Sequence, residues 1–112
     1  MEQHYKLDRV KELADNDSDF ILTLAQTFLE EVPEDAERLK NAVALGDHYT
    51  TYQAAHKMKP TIDLFELGVL EDLIEVQDWG KFEQTHDITD KLNIVLTAVE
   101  NASAEMRADF DL

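Results

Sequence analysis

Glycine occurs three times and proline twice in 112 residues. Between these few interruptions, apolar residues recur at three- and four-residue spacing. That combination points to helices. In "LDRVKELA" the apolar positions are 7, 10, 13 and 14. "DNDS" then breaks the pattern and offers Asp17 or Ser18 as a helix N-cap. "DFILTLAQTFLEEV" (19–32) sets Phe20, Ile21, Leu24, Phe28 and Val32 along one stripe. Pro33 suits the first position of a further helix over 33–45, with Glu34 and Asp35 at its positive end. That helix turns Ala36, Leu39, Ala42 and Val43 inward. Gly46 ends it, and Asp47 can cap the next.

A fourth helix is expected from about His48 to Phe65, and a short fifth over 69–79, bounded by Gly68 and Gly80. A long last helix from about Thr85 carries Ile88, Leu92, Val95, Leu96 and Val99. No segment makes a convincing strand, and there is no internal repeat or long linker. The expected fold is all-α, with one domain over 1–112. Short connections favour antiparallel neighbours, so the expected architecture is an antiparallel up-and-down four-helix bundle with short additional helices.

Composition narrows the function. There are 25 acidic residues against 10 basic ones, a formal net charge of −15. Such a surface is repelled by nucleic-acid phosphates and by anionic lipid. The absence of cysteine removes disulfides, thiolate metal sites and cysteine nucleophiles. The apolar runs are too short to span a membrane, and the opening "MEQHYKLDRV" lacks the apolar run of a signal peptide. The expectation is a cytoplasmic monomer whose partners are proteins or small molecules, with neither nucleic acid nor membrane among them.

Against that charge, "AAHKMKP" (54–60) is anomalous. The fifteen residues from 48 to 62 contain no acid, and they hold Lys57 and Lys59. At about 100° per residue, Thr51, Ala54, Ala55, Met58, Ile62 and Phe65 share one broad face, which must be the core side. His56 points nearly opposite, among Tyr52, Lys59, Pro60 and Asp63. A helix histidine is most often a packed core residue or a plain surface one. Here the phase argues against the core, and the positive setting distinguishes it from the ordinary surface. Neutral imidazole is a good nucleophile near neutral pH and can form a covalent intermediate. A nearby ammonium can hold the oxygens of an incoming phosphoryl group. Pro60 has no N–H for the His56 carbonyl and carries no long side chain. It either kinks the helix or leaves room for a docking partner.

The stretch "AAHKMKPTIDLFEL" resembles the signature of the histidine-containing phosphotransfer (HPt) domain family of bacterial two-component phosphorelays. That pattern is a histidine followed by a hydrophobic residue, a lysine and a small residue at +2, +3 and +4. Here these are Met58, Lys59 and Pro60, with Ala55 before His56. The run "FLEEVPEDAERLKNAVALGDHYTTYQAAH" is similar to the family's approach to its histidine, and the likeness extends over roughly 7–107. It implies a helical bundle with His56 as phosphoacceptor and Lys59 steadying the phosphoryl oxygens. The implied partners are receiver domains of hybrid histidine kinases and response regulators. Tyr52, Gln53, Lys57, Pro60 and Asp63 would lie on the partner-facing side. The family binds no nucleotide itself, in keeping with the lack of a Gly-rich phosphate loop here, so no cofactor is expected. Pro60 stands where glycine is usual, and Glu66 stands where a second glycine is common.

Two other classes fit the sequence less well. Independent catalysis finds little support. His86 and Asp90 are spaced i,i+4, but two ligands are too few for a metal site, and His4 and His48 have no partner pattern. The alternative is a helical adaptor that binds receiver domains or other signalling proteins without being phosphorylated. The intact His56–Lys59 pair argues against it.

Overall fold

A computed structural model describes residues 4–112. The chain is all-helical, with no strand among the described residues. Five helices follow one another: α1 (Asp8–Leu13), α2 (Ser18–Ala44), α3 (His48–Leu64), α4 (Leu70–Lys81) and α5 (Thr89–Asp109). Helix α3 packs between α2 and α4, α5 packs against the same two, and α1 rests on α2. At 1.5 Å per residue, the 27 residues of α2 span about 40 Å. This one helix nearly accounts for the longest dimension of the molecule, 44 Å.

Helix α2 replaces the two helices expected over 19–32 and 33–45, with Pro33 inside it rather than at a start. The apolar stripe explains why the chain does not break. Phe28, Val32, Ala36 and Leu39 run across the proline in helical register, and all are buried. A mid-helix proline costs about 3 kcal/mol. Fully burying one large apolar side chain contributes about 1.5–3 kcal/mol, so keeping both halves of the stripe in phase outweighs the lost hydrogen bond. Pro60 sits inside α3 for the same reason, with Met58 and Ile62 buried on either side of it. Phe20 departs from the expected stripe and is exposed.

Gly80 does not end α4, which runs on to Lys81. A Cβ at this position would lie 2.6 Å from the His48 carbonyl oxygen and 2.7 Å from the Tyr52 nitrogen. The glycine is there because the α3 backbone passes too close for any side chain. The last helix begins at Thr89, later than expected. The Trp79 indole N–H donates to the His86 carbonyl at 2.8 Å, and His48 Nε2–H donates to the Gln84 carbonyl at 2.8 Å. The Asp87 carboxylate then accepts from the Thr89 N–H at 2.8 Å. These bonds hold 82–88 out of helix. His86 is therefore not on α5 and shares no helix face with Asp90.

The core joins all five helices. Phe28 and Phe65 meet edge to face at 5.0 Å, among Val10, Leu39, Met58, Ile62, Leu73, Val95 and Met106. The segment before α1 is tied down as well. Lys6 donates its N–H to the Phe65 carbonyl at 2.8 Å, and the Tyr5 hydroxyl donates to Asp109 Oδ2 at 2.6 Å. Burial and that carboxylate together push the Tyr5 phenol well above its ordinary range.

Candidate functional site

Helix α3 is built to hold its outer face steady. Asp47 caps it, accepting from the Thr50 N–H at 3.1 Å. Hydrogen bonds from Thr50 hold the Asp47 carboxyl below the usual range. At the other end Phe65 is the C-cap, and Glu66 and Leu67 close a Schellman turn onto Asp63 and Ile62. The inward face matches the sequence expectation in full: Thr51, Ala54, Ala55, Met58, Ile62 and Phe65 are all buried.

His56 lies on the opposite, exposed face, and two side chains fix its ring. The Tyr52 ring stacks on the imidazole with centroids 5.6 Å apart and planes 22° from parallel. From α4, Gln77 Oε1 lies 3.4 Å from His56 Nδ1, at the long end of hydrogen-bond range. Gln77 is itself buried. With its carbonyl oxygen facing the ring, the tautomer that fits carries the proton on Nδ1 and donates it to Gln77. Nε2 then keeps its lone pair.

The other expected residues divide. Lys59 is half-buried on the His56 side and makes no ion pair among the described residues. Pro60 is exposed one turn beyond His56. Gln53 is exposed, and its amide donates to the Tyr49 hydroxyl at 2.8 Å. Lys57 is engaged: its Nζ lies 3.1 Å from Asp35 Oδ1 of α2, and Asp35 is buried. The acid-free window of the sequence thus faces an acid in space, and Lys59 is its unpaired cation. Asp63 is also engaged. Arg9 of α1 donates to its Oδ1 at 2.6 Å and reaches toward Glu66 Oε1, with Nε 3.8 Å away.

Three residues that the sequence does not place at the site therefore shape it: Gln77, Asp35 and Arg9. Gln77 left a signal. It falls on the apolar phase of α4 with Leu73, Val76 and Gly80, and a polar residue there needs a reason. Arg9 and Asp35 left none, because their partners are 54 and 22 residues away. Among the described residues no cluster of three or more His, Asp or Glu side chains could hold a metal ion. No helix among them is long and apolar enough to cross a membrane. The chain matches no protein-family model, no curated protein and no solved structure.

Proposed function

We propose that this chain is a histidine phosphotransfer protein, which accepts a phosphoryl group on His56 Nε2 from a receiver-domain aspartate and passes it to a second receiver. The observation that carries this reading is the exposed His56 ring, held by Tyr52 and Gln77 so that Nδ1 is occupied and Nε2 is free. In the transfer, the Nε2 lone pair forms the N–P bond as the P–O bond to the aspartate breaks. The carboxylate leaves with that electron pair, and the Nδ1 proton stays in place. Lys59, unpaired and nearby, offers a cation to the phosphoryl oxygens. The Mg²⁺ that such chemistry uses belongs to the receiver.

In this reading α2 to α5 form an antiparallel up-and-down four-helix bundle. Support comes from each of the four packing against two others, with α3 and α5 both lying between α2 and α4. The chain works in the cytoplasm as a monomer, without a nucleotide site of its own. Arg9 offsets a charge that argues against docking, since Asp63 would otherwise add a bare negative group to the partner-facing side.

The test is incubation with a phosphorylated receiver and Mg²⁺, followed by assay of acid-labile phosphate. The wild-type chain should take up label. His56→Gln should fold and take up none. Label retained by the variant would move the site elsewhere. A wild-type chain that binds the receiver but takes no label would be an adaptor.

A further inference from the structure

Tyr52 stands four residues before His56, so its ring lies alongside the imidazole, offset from it. The contact is planar: 5.6 Å between centroids and 22° between planes. Its base is rigid. Tyr52 belongs to a turn of α3 that α4 approaches closely, with the space above its backbone nitrogen too small for even a methyl group at Gly80. A ring anchored there can hold a neighbouring ring in plane.

The charge on the imidazole changes during the proposed reaction. Before transfer, the ring with its proton on Nδ1 is neutral. Once Nε2 bonds to phosphorus and the carboxylate departs, the ring still holds the Nδ1 proton and becomes cationic. The face of a phenol ring is electron-rich and attracts a cation within about 6 Å. The Tyr52 contact is therefore stronger after transfer than before it. An interaction that strengthens along the reaction shifts its equilibrium, whereas one of constant strength does not.

Resting on the phosphotransfer reading, we infer that Tyr52 is a positioning residue that holds the His56 ring in plane and favours its phosphorylated form, in which the ring itself is an imidazolium beside the negative phosphoryl oxygens. It acts through the imidazole, and it does so with its ring face rather than its hydroxyl.

The test compares Tyr52→Phe, which keeps the ring face, with Tyr52→Leu, which loses it; circular dichroism checks that both fold. Each is equilibrated with a radiolabelled phosphorylated receiver, and the label on chain and receiver is measured. Tyr52→Phe should partition like the wild type. Tyr52→Leu should shift label about 2- to 5-fold toward the receiver, the range of an exposed cation–π contact. A Tyr52→Leu chain that partitions like the wild type, or a Tyr52→Phe chain that falls as far as it, overturns the inference. Proton NMR of the unphosphorylated chains separates this from the fate of the function, with His56→Gln identifying the ring signals. His56 ring protons should be shifted upfield by Tyr52 in the wild type and in Tyr52→Phe, and released in Tyr52→Leu. If the wild type takes no label, phosphotransfer fails, and with it the claim on the phosphorylated form. The NMR comparison then decides the positioning role alone, and identical shifts in all three chains would overturn that too.

Discussion

Lys57 reaches across from α3 to α2, where its Nζ meets Asp35 Oδ1 at 3.1 Å. Asp35 is buried and Lys57 is not, so the lysine serves the acid more than the acid serves the lysine. Removing Lys57 leaves a buried carboxylate without its partner. Lys57→Ala should lower stability by about 1 kcal/mol, and Lys57→Glu should lower it further by repulsion. Asp35→Asn combined with Lys57→Ala should cost less than the two single changes added together. Urea titrations of the four chains decide it, and strict additivity would mean that the pair is incidental. Binding losses in a Lys57 variant should be interpreted only after this comparison.

Lys59 is the cation that remains available beside His56. Its ammonium should act on the phosphoryl group rather than on the fold, because no ion pair among the described residues depends on it. Loss of one charge-assisted hydrogen bond of about 1.5–3 kcal/mol predicts that Lys59→Ala accepts phosphoryl roughly 10- to 100-fold more slowly. Rapid-quench transfer from a phosphorylated receiver measures this. A folded variant with unchanged kinetics would remove Lys59 from the site.

Gln77 is predicted to matter for chemistry and hardly at all for stability. It is buried on the same face of α4 as Leu73 and Val76. The partner that loses its acceptor, His56, is exposed and can bond to water instead, so no buried polar group is left unpaired. The His56 ring, however, would lose the acceptor that keeps its proton on Nδ1. Gln77→Leu should therefore slow transfer by about 2- to 10-fold, the worth of one neutral hydrogen bond, with an unchanged urea midpoint. A variant that transfers at the wild-type rate would show that the tautomer is set by something else.

Gly80→Ala opposes two effects of opposite sign. In an open helix this change gains about 0.5–1 kcal/mol. Here the new methyl would lie 2.6 Å and 2.7 Å from backbone atoms of His48 and Tyr52, and backbone cannot swing aside like a side chain. Overpacking of this kind costs about 1–3 kcal/mol, so the net effect should be destabilising. It should also displace Tyr52 from the His56 ring. Thermal melts read the sign directly, and a rise in melting temperature would contradict the close approach of α3 and α4.

How much of this was legible in the sequence depends on the range of the cause. The inward face of α3 and the outward phase of His56 follow from local spacing, and the helices show them unchanged. At Pro33, Gly80 and the stretch before Thr89, tertiary contacts overrule local preference. Buried stripes carry α2 through its proline. The nearness of α3 keeps a glycine in mid-helix. Carbonyls taken by Trp79 and His48 hold 82–88 open. The charge around His56 failed for the same reason, as counting acids along the chain cannot see Asp35 across a helix interface.

The turn that ends α3 supports a last prediction. Glu66 has φ +51°, a left-handed conformation that costs an ordinary residue about 1–2 kcal/mol and glycine almost nothing. Its N–H closes onto the Asp63 carbonyl at 3.1 Å and that of Leu67 onto Ile62 at 3.2 Å, so the turn itself needs this φ. This is the position where the sequence pattern that the chain resembles commonly has glycine. Glu66 also buries Oε2 without a hydrogen-bond partner, while its contact to Arg9 is long at 3.8 Å and the Arg9–Asp63 pair is short without it. Glu83 has the same backbone role after α4, with φ +49°, but an exposed side chain. Substituting glycine gives back about 0.4–1 kcal/mol through the freer unfolded chain. Glu83→Gly should then stabilise by a net of about 0.5–1 kcal/mol, from strain alone. Glu66→Gly should gain more, because it also removes the unpaired buried oxygen. Urea midpoints at constant slope measure both. If Glu66→Gly proves less stable than Glu83→Gly, the Arg9 contact contributes more than its length implies. Arg9→Ala in the Glu66→Gly background would then locate that contribution.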